Sequence, residues 1–596
     1  MSEKRYIQVI LPLRLEWEPC YCLGGADNSA KVQIGDRVRV VFAHKSYVGV
    51  VSAVDVQPDI APERIATVSE LLPSLPAVSP REVEFWHFIS GYYLCTIGEV
   101  YKAAYPAHKI QSEEIGARSA ERRKRLADAE EALWKARVEK LRVRLAAKDE
   151  ALEKKHNAVV SERLHSERAK IAMELQNAQL QLEAISSRDL FTKDSLPLFK
   201  PVKSSVWPEL KAARPLLYKA ADRVEEYIAV CSNCLAAGRS VLLMVPETAL
   251  AKELETGLRE RFEQALLVYH SKETTARRRV ISDRIRSGRS YILLGTRSSL
   301  FLPFNALGLI IVDEEQSPFY KSDIAPRLNA RDAAVMLAGI HGIPVLLGSA
   351  APSLESEYNV ASGKYALLER PAAAKALSLI DITAEKRKRG MVGCISRALA
   401  GECREGRIAL VRGFEAEEEV SESLSTLFPG QTDRFDIITL GEAARKDLSE
   451  YDVVAVLNAD AVFHSDDFRS DERAFQFITE LNSRCQRLIL QTRSPEHQVF
   501  SLKGMGSLLE ERRIFSLPPY TRLVDINLLH GKNENDASAL SRKLRRAGFT
   551  VSDAIRRRDG QLFIRVTLPR DRSLADKKQA LSQMAEGIGI PDVDPS

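Results

Sequence analysis

Four short apolar runs, each closing on a polar cluster, constrain this chain more than any other feature. They are Val241 to Val245 before Pro246-Glu247-Thr248, Tyr291 to Leu294 before Gly295-Thr296-Arg297, Leu309 to Val312 before Asp313-Glu314-Glu315-Gln316, and Val345 to Leu347 before Gly348-Ser349-Ala350-Ala351-Pro352-Ser353. Apolar runs of this length alternating with helical segments belong to a doubly wound parallel sheet, buried on both faces. Ligands of such sheets bind at the carboxyl ends of the strands, where all four polar clusters fall. Asp313 and Glu314 stand where a strand end offers carboxylates to Mg²⁺ and an attacking water, the second half of a nucleotide-hydrolysing site. The first half, a glycine-rich phosphate loop, has no counterpart upstream.

The 596 residues, 45% hydrophobic and 28% charged, provide for roughly three to five globular domains. A net charge of +5 admits an acidic partner without requiring one. Eight scattered cysteines suit a reducing compartment, and Cys231-Ser232-Asn233-Cys234 lacks the second pair that a zinc site needs, so no metal is expected. No run of eighteen apolar residues occurs, and Met1-Ser2-Glu3-Lys4-Arg5 enters a strand-like segment with no signal-peptide pattern. These features predict a soluble, cytoplasmic protein with no membrane partner.

Turn-rich sequence separates strand-like segments at Tyr6 to Leu11, Arg37 to Phe42 and Tyr47 to Val54, which predicts a small β module. Residues 82–106 then read as helical and gather Phe85, Trp86, Phe88, Tyr92 and Tyr93, a cluster typical of a core. From Ala117 to Leu196 there is neither glycine nor proline, and apolar residues recur at seven-residue steps, as in Val138, Leu145, Leu152 and Val159. Such a stretch is one long helix, about 100 Å if continuous, or an antiparallel hairpin turning near Lys155-His156-Asn157. It serves as an arm, a dimerisation element or a solvated spacer. A second α/β unit has strands at Ile408 to Val411, Val453 to Leu457 and Leu488 to Gln491. The last 75 or so residues read strand, helix, strand, strand, helix, an α+β sandwich.

Several segments together resemble the PriA family, the primosomal protein N′ group of superfamily 2 DNA helicases. The likeness lies in Val245-Pro246-Glu247, Tyr269-His270-Ser271, Gly295 to Phe304, Leu309 to Gln316, Tyr320-Lys321, Ala330-Arg331-Asp332-Ala333 and Leu347 to Ser356. It continues through Leu457-Asn458-Ala459-Asp460, Asp467-Phe468-Arg469, Glu472 to Gln476 and Pro518-Pro519-Tyr520, and its N-terminal part is Leu11-Pro12, Gly35 to Val38, Tyr92-Tyr93 and Gly98-Glu99-Val100. The resemblance implies an α/β multidomain fold: a β-rich domain binding DNA 3′ ends (1–110), a helical or coiled-coil arm (111–197), RecA-like lobe 1 (198–372), a shortened lobe 2 (373–517) and a C-terminal α+β DNA-binding domain (518–596). It implies ATP and Mg²⁺ as cofactors, and as partners DNA forks, 3′ ends and single strands together with primosome and replication-restart proteins.

The departures from the family follow a pattern. The position of its Gly-Ser-Gly-Lys-Thr phosphate loop falls on Ala220-Ala221-Asp222-Arg223-Val224, without glycine, lysine or hydroxyl. Gln316 stands for the histidine of the acidic box and Ala351 for a threonine. The cysteine-rich zinc insert and the Gly-Thr-Gln-Met strand end are missing, the winged-helix region has no counterpart beside the arm, and the arginine-rich last motif leaves one remnant, Arg484. Asp313, Glu314, Glu315 and Gln316 thus read as a relic without a held substrate. Candidate DNA contacts are Tyr21, Gly35 and Lys45 in the first module, Arg297, Lys321, Arg327 and Arg331 in lobe 1, and Arg545 and Arg546 near the C-terminus. Three readings stand: a restart protein that binds forked DNA and recruits partners with its motor lost, an active ATP-dependent 3′–5′ helicase, and a coiled-coil scaffold that self-associates through the arm.

Overall fold

The computed structural model describes residues 5–24, 32–106, 120–152, 158–186, 199–246, 252–270, 273–370, 377–444, 446, 448–463, 467–501, 505–557 and 560–595, without the side chains of 120–130, 158–163, 183–186, 252–253 and 275–276. Glu247, Thr248, Ser271 and the turn Lys155-His156-Asn157 lie outside the described residues. Among the described residues no helix is long and apolar enough to cross a membrane.

The N-terminal module is an antiparallel sheet in the order β2-β1-β4-β3-β5, with β1 at Tyr6–Ile10, β2 at Cys20–Cys22, β3 at Arg37–Phe42, β4 at Lys45–Val54 and β5 at Glu70–Leu71. The stretch 82–106, expected to be helical, holds two helices, α1 (Pro80–Tyr93) and α2 (Ile97–Ala104). Leu94 takes a left-handed conformation (φ 54°) that ends α1, and Thr96 with Glu99 forms a capping box that starts α2. The aromatic cluster is core, as its spacing suggests: Phe85, Trp86 and Tyr93 are buried.

The arm is an antiparallel hairpin of α3 (Ala120–Leu152) and α4 (Ala158–Ser186). Val138 and Leu141 bury against Ile171, Leu175 and Ala178, with Trp134, Leu145 and Leu182 extending the seam. The seven-residue steps are therefore satisfied within the chain. At its root α4 packs on α7 (Thr275–Arg286) of lobe 1, where Arg277 Nη1 donates to Leu180 O.

Lobe 1 is a seven-stranded, wholly parallel sheet in the order β12-β6-β11-β10-β7-β9-β8. In chain order β6 is Leu216–Lys219, β7 Ser240–Met244, β8 Leu266–Tyr269, β9 Ile292–Gly295, β10 Leu307–Asp313, β11 Val345–Ser349 and β12 Ala366–Glu369. Its helices include α5 (Val224–Ala236), α6 (Lys252–Phe262), α8 (Ala330–His341) and α9 (Leu354–Ala361). The four strands legible in the sequence, β7, β9, β10 and β11, are adjacent at the centre of the sheet, and the edge strands β8 and β12 and the interior strand β6 were missed. A second parallel sheet runs Leu377–Asp381, Leu488–Thr492, Val453–Val456, Ile408–Arg412, Phe435–Thr439 in spatial order, two strands more than expected. The C-terminal sheet centres on Thr521–Leu528, flanked by Leu562–Pro569 and Gly589–Val593. One apolar core runs continuously from α1 and α2 through lobe 1 into this last sheet.

Leu141→Ala should loosen the arm by about 2–3 kcal/mol, the usual cost of a buried Leu→Ala change. The expected signature is faster backbone hydrogen exchange across α3 and α4, with β10 and β11 unchanged.

Candidate functional site

The segment Ala220–Val224 forms the turn from β6 into α5, the place where a phosphate loop would lie. Arg223 fills it. Its Nε donates to Asp313 Oδ1 at 2.9 Å, its Nη1 to Ala220 O at 2.7 Å, and its Nη2 to Glu314 Oε1, while the side chain is only 7% exposed. One turn along α5, Tyr227 Oη donates to the same Asp313 Oδ1 at 2.8 Å. Gly348 at the end of β11 makes room for that ring, since a Cβ there would lie 1.7 Å from the Tyr227 hydroxyl. Burial works against the Arg223 charge, but Asp313 and then Glu314 outweigh it and hold its pKa well above the ordinary value. Burial, followed by Asp313, likewise keeps Tyr227 protonated.

The rest of the acidic box is equally committed. Glu314 sits at φ 48°, a left-handed backbone, and its carboxylate also accepts from Gln316 Nε2. Gln316 Oε1 in turn accepts from Ser349 Oγ at 2.6 Å. Glu315 points into the protein and accepts from Arg331 Nη1 (3.1 Å), Ser353 N (2.7 Å) and Ser356 Oγ (2.9 Å). Every member of the box therefore has a partner from within the chain. Mg²⁺ and a triphosphate do not fit these residues: the lone pairs a metal would use face a guanidinium, and no lysine or hydroxyl stands at 220–224.

Across the cleft, Arg484 turns into its own lobe, donating to Ala443 O (3.0 Å) and Ala444 O (3.2 Å) and pairing with Glu480 at 3.4 Å. Burial and the facing Glu314 push the Glu480 carboxyl up to about 7. The lobes are joined by ion pairs the sequence reading missed. Arg469 meets Glu355 of α9 at 2.8 Å, Glu472 accepts from Leu354 N at 2.9 Å, and Arg512 backs Glu472 at 3.4 Å. The one available signal was the recurrence of Arg469 and Glu472 within segments already singled out.

The candidate DNA contacts divide by geometry. Lys321 is buried, its Nζ donating to Arg327 O and Val593 O and pairing with Asp592 at 2.7 Å, so it fastens the C-terminal sheet. Arg331 is buried against Glu315, Asp332 and Ser353. Neither residue lies on an exposed tracking surface, contrary to the sequence-based expectation, because Asp592 and Glu315 draw them inward. Arg297, which donates to Lys321 O, and Arg327 remain partly exposed beside them. Tyr21 is also core, its hydroxyl donating to Val41 O at 3.2 Å and pushed up to about 12 by burial. Gly35 is required by its backbone, with φ +95° and the carbonyl of Val78 1.7 Å from where a Cβ would be. Lys45 is exposed at the β3–β4 hairpin, and Arg546 is exposed while Arg545 pairs with Asp553 at 2.8 Å.

Residues 8–106 match the family model described as the 3′DNA-binding domain (3′BD) of PriA. The chain is similar to the replication restart protein PriA of Haemophilus influenzae, 25% identical over 617 residues, 83% of this chain and 84% of that one. To the same-named protein of Rickettsia prowazekii it is 38% identical over 181 residues, 29% of this chain and 28% of that one. Among solved structures, RecG bound to a three-way DNA junction aligns with 57% of this chain and 47% of its own at 14% identity and a TM-score of 0.30, too slight a likeness to build on.

Arg223→Met should cost about 3 kcal/mol in urea unfolding, because it leaves two adjacent carboxylates without their cation. Adding Asp313→Asn should recover part of the loss. Glu480 binds its proton more tightly folded than unfolded, so its contribution is complete below the ordinary glutamate pKa and is lost as pH rises toward 7. Glu480→Gln should therefore raise the melting temperature more at pH 8 than at pH 5.

Proposed function

The chain belongs to the PriA family of replication restart proteins, and from that premise we propose that it binds forked and single-strand-bearing DNA and recruits restart partners without ATP-driven unwinding. The observation that carries the loss of the motor is Arg223, which occupies the turn at the end of β6 and takes both carboxylates that a nucleotide-bound metal would need. A second observation agrees with it. Arg484, the remnant of the arginine-rich motif, is engaged with carbonyls of its own lobe and not with the cleft.

DNA recognition is assigned to the first module, whose match to a 3′DNA-binding domain spans 8–106, and to Lys45, Arg297, Arg327 and Arg546, which keep exposed surface. Backbone contacts of this kind need positive charge and a groove, neither of which depends on nucleotide. The buried pairs between Glu355, Arg469 and Glu472 favour one fixed spacing of the lobes, suited to holding a junction and not to stepping along a strand. The site of action is the cytoplasm, and the recruited partners are primosome proteins.

One sample decides the matter. Fluorescence anisotropy with a fork carrying a free 3′ end should give tighter binding than with the same fork blocked at that end, while ATP hydrolysis stays at background with or without DNA. DNA-stimulated hydrolysis that Asp313→Asn abolishes would instead establish a working helicase, and a protein that binds no fork at all would defeat the reading entirely.

A further inference from the structure

The arm buries one seam and leaves two flanks, and its charges are not shared equally between them. On one flank Glu131 pairs with Lys135 at 2.7 Å, Glu139 with Arg142 at 3.7 Å and Asp149 with Arg168 at 2.5 Å, so the two signs cancel. On the other, Arg137, Lys140, Arg144 and Lys148 follow at steps of three, four and four residues, the spacing that lines side chains up along a helix. Arg144 and Lys148 reach Glu174 and Glu167 of α4 at 3.9 and 2.6 Å, which identifies the facing edge of α4. Lys170 lies on that same edge, between the two glutamates.

Two carboxylates thus face five cations among the described residues of this flank. Arg137, Lys140 and Lys170 are exposed, and Arg137 lies over the Trp134 ring at 5.2 Å. A helix surface charged only for solubility intersperses the signs, as the opposite flank does. The row starts about level with the point where Leu180 meets α7 and ends about 20 Å beyond it, at 1.5 Å per residue. Helix α7 adds the partly exposed Arg278 and Arg279 at the root.

We propose that this flank is a phosphate-binding rail for duplex DNA, holding one double-stranded limb of a fork while the N-terminal module takes the end. The partner is a duplex because the cations stand in a straight row on a rigid two-helix element. A row of that kind matches a backbone of fixed path, and Trp134 packs on the seam, leaving no base-stacking platform among the described residues of this flank. The inference rests on the DNA-binding reading above, and its test separates the two.

The full chain carrying Arg137→Gln, Lys140→Gln and Lys170→Gln is compared with the unsubstituted protein on a fork with long duplex limbs and on a single-stranded oligonucleotide with a free 3′ end. Circular-dichroism melting verifies that the arm is folded. Fork affinity should fall about tenfold at 0.15 M salt and the salt dependence should lose about 2–3 from its slope, while single-strand affinity stays within about twofold. Replacing residues 120–186 by a short glycine-serine linker should reproduce the loss. Unchanged fork affinity and slope, with single-strand binding intact, overturns the rail and leaves the earlier reading standing. Unchanged fork affinity with lost capture of a restart protein also overturns it, assigning the flank to an acidic protein. Failure of the unsubstituted protein to bind either DNA defeats the earlier reading instead.

Discussion

Two carboxylates at the end of a buried strand need a cation, and in this protein the cation is part of the chain. Arg223 supplies it from the turn after β6, with Tyr227 filling the remaining approach to Asp313. A guanidinium held by two carboxylates and a carbonyl meets its hydrogen-bonding needs in one plane, a geometry a lysine could not reproduce. The rest of the strand edge depends on this arrangement. With Asp313 and Glu314 neutralised, Gln316 can turn to Ser349, and Glu315 is left to organise the interior around Arg331 and Ser353.

The domains are joined by charge as much as by apolar surface. Lys321 donates to Arg327 O and Val593 O and pairs with Asp592, two of these three partners lying on the C-terminal strand, and Lys578 returns the tie by donating to Tyr92 O at 2.8 Å while lying over its ring. Burial at that seam pulls the Lys578 ammonium down to about 8. Such pairs contribute little net stability compared with apolar packing, yet removing one partner is costly, so they fix geometry more than they add strength.

The central strands β7, β9, β10 and β11 of lobe 1 were legible because they are apolar on both faces and each ends in a polar cluster. Strand β12 was not, since its residues alternate between half-buried and exposed at the sheet edge, and Leu367 is 43% exposed. Pro591 concealed the final strand, which tolerates it only as the outermost member of its sheet. Lys321 and Arg331 show the limit for single residues. A cation on a loop reads as surface by default, and only the fold brings Asp592 and Glu315 to it. Tyr227 was overlooked for the opposite reason, as one more apolar residue on a helix until Gly348 opens space for its hydroxyl at the strand end. The arm's seam was readable from its heptad steps, but its flank asymmetry emerges only once cross-helix pairs show which edges adjoin.

The position of β6 has a consequence for how the chain is made. It is the first strand of its lobe to leave the ribosome, yet both its neighbours come late, Leu216 pairing with Leu346 on one side and Ala366 on the other. Arg223 emerges 90 residues ahead of Asp313, an interval of about five to twenty seconds at ordinary rates of synthesis. Throughout that time β6 is an apolar strand with two open edges, and the nascent chain must be shielded until the last third of the lobe has arrived to enclose it.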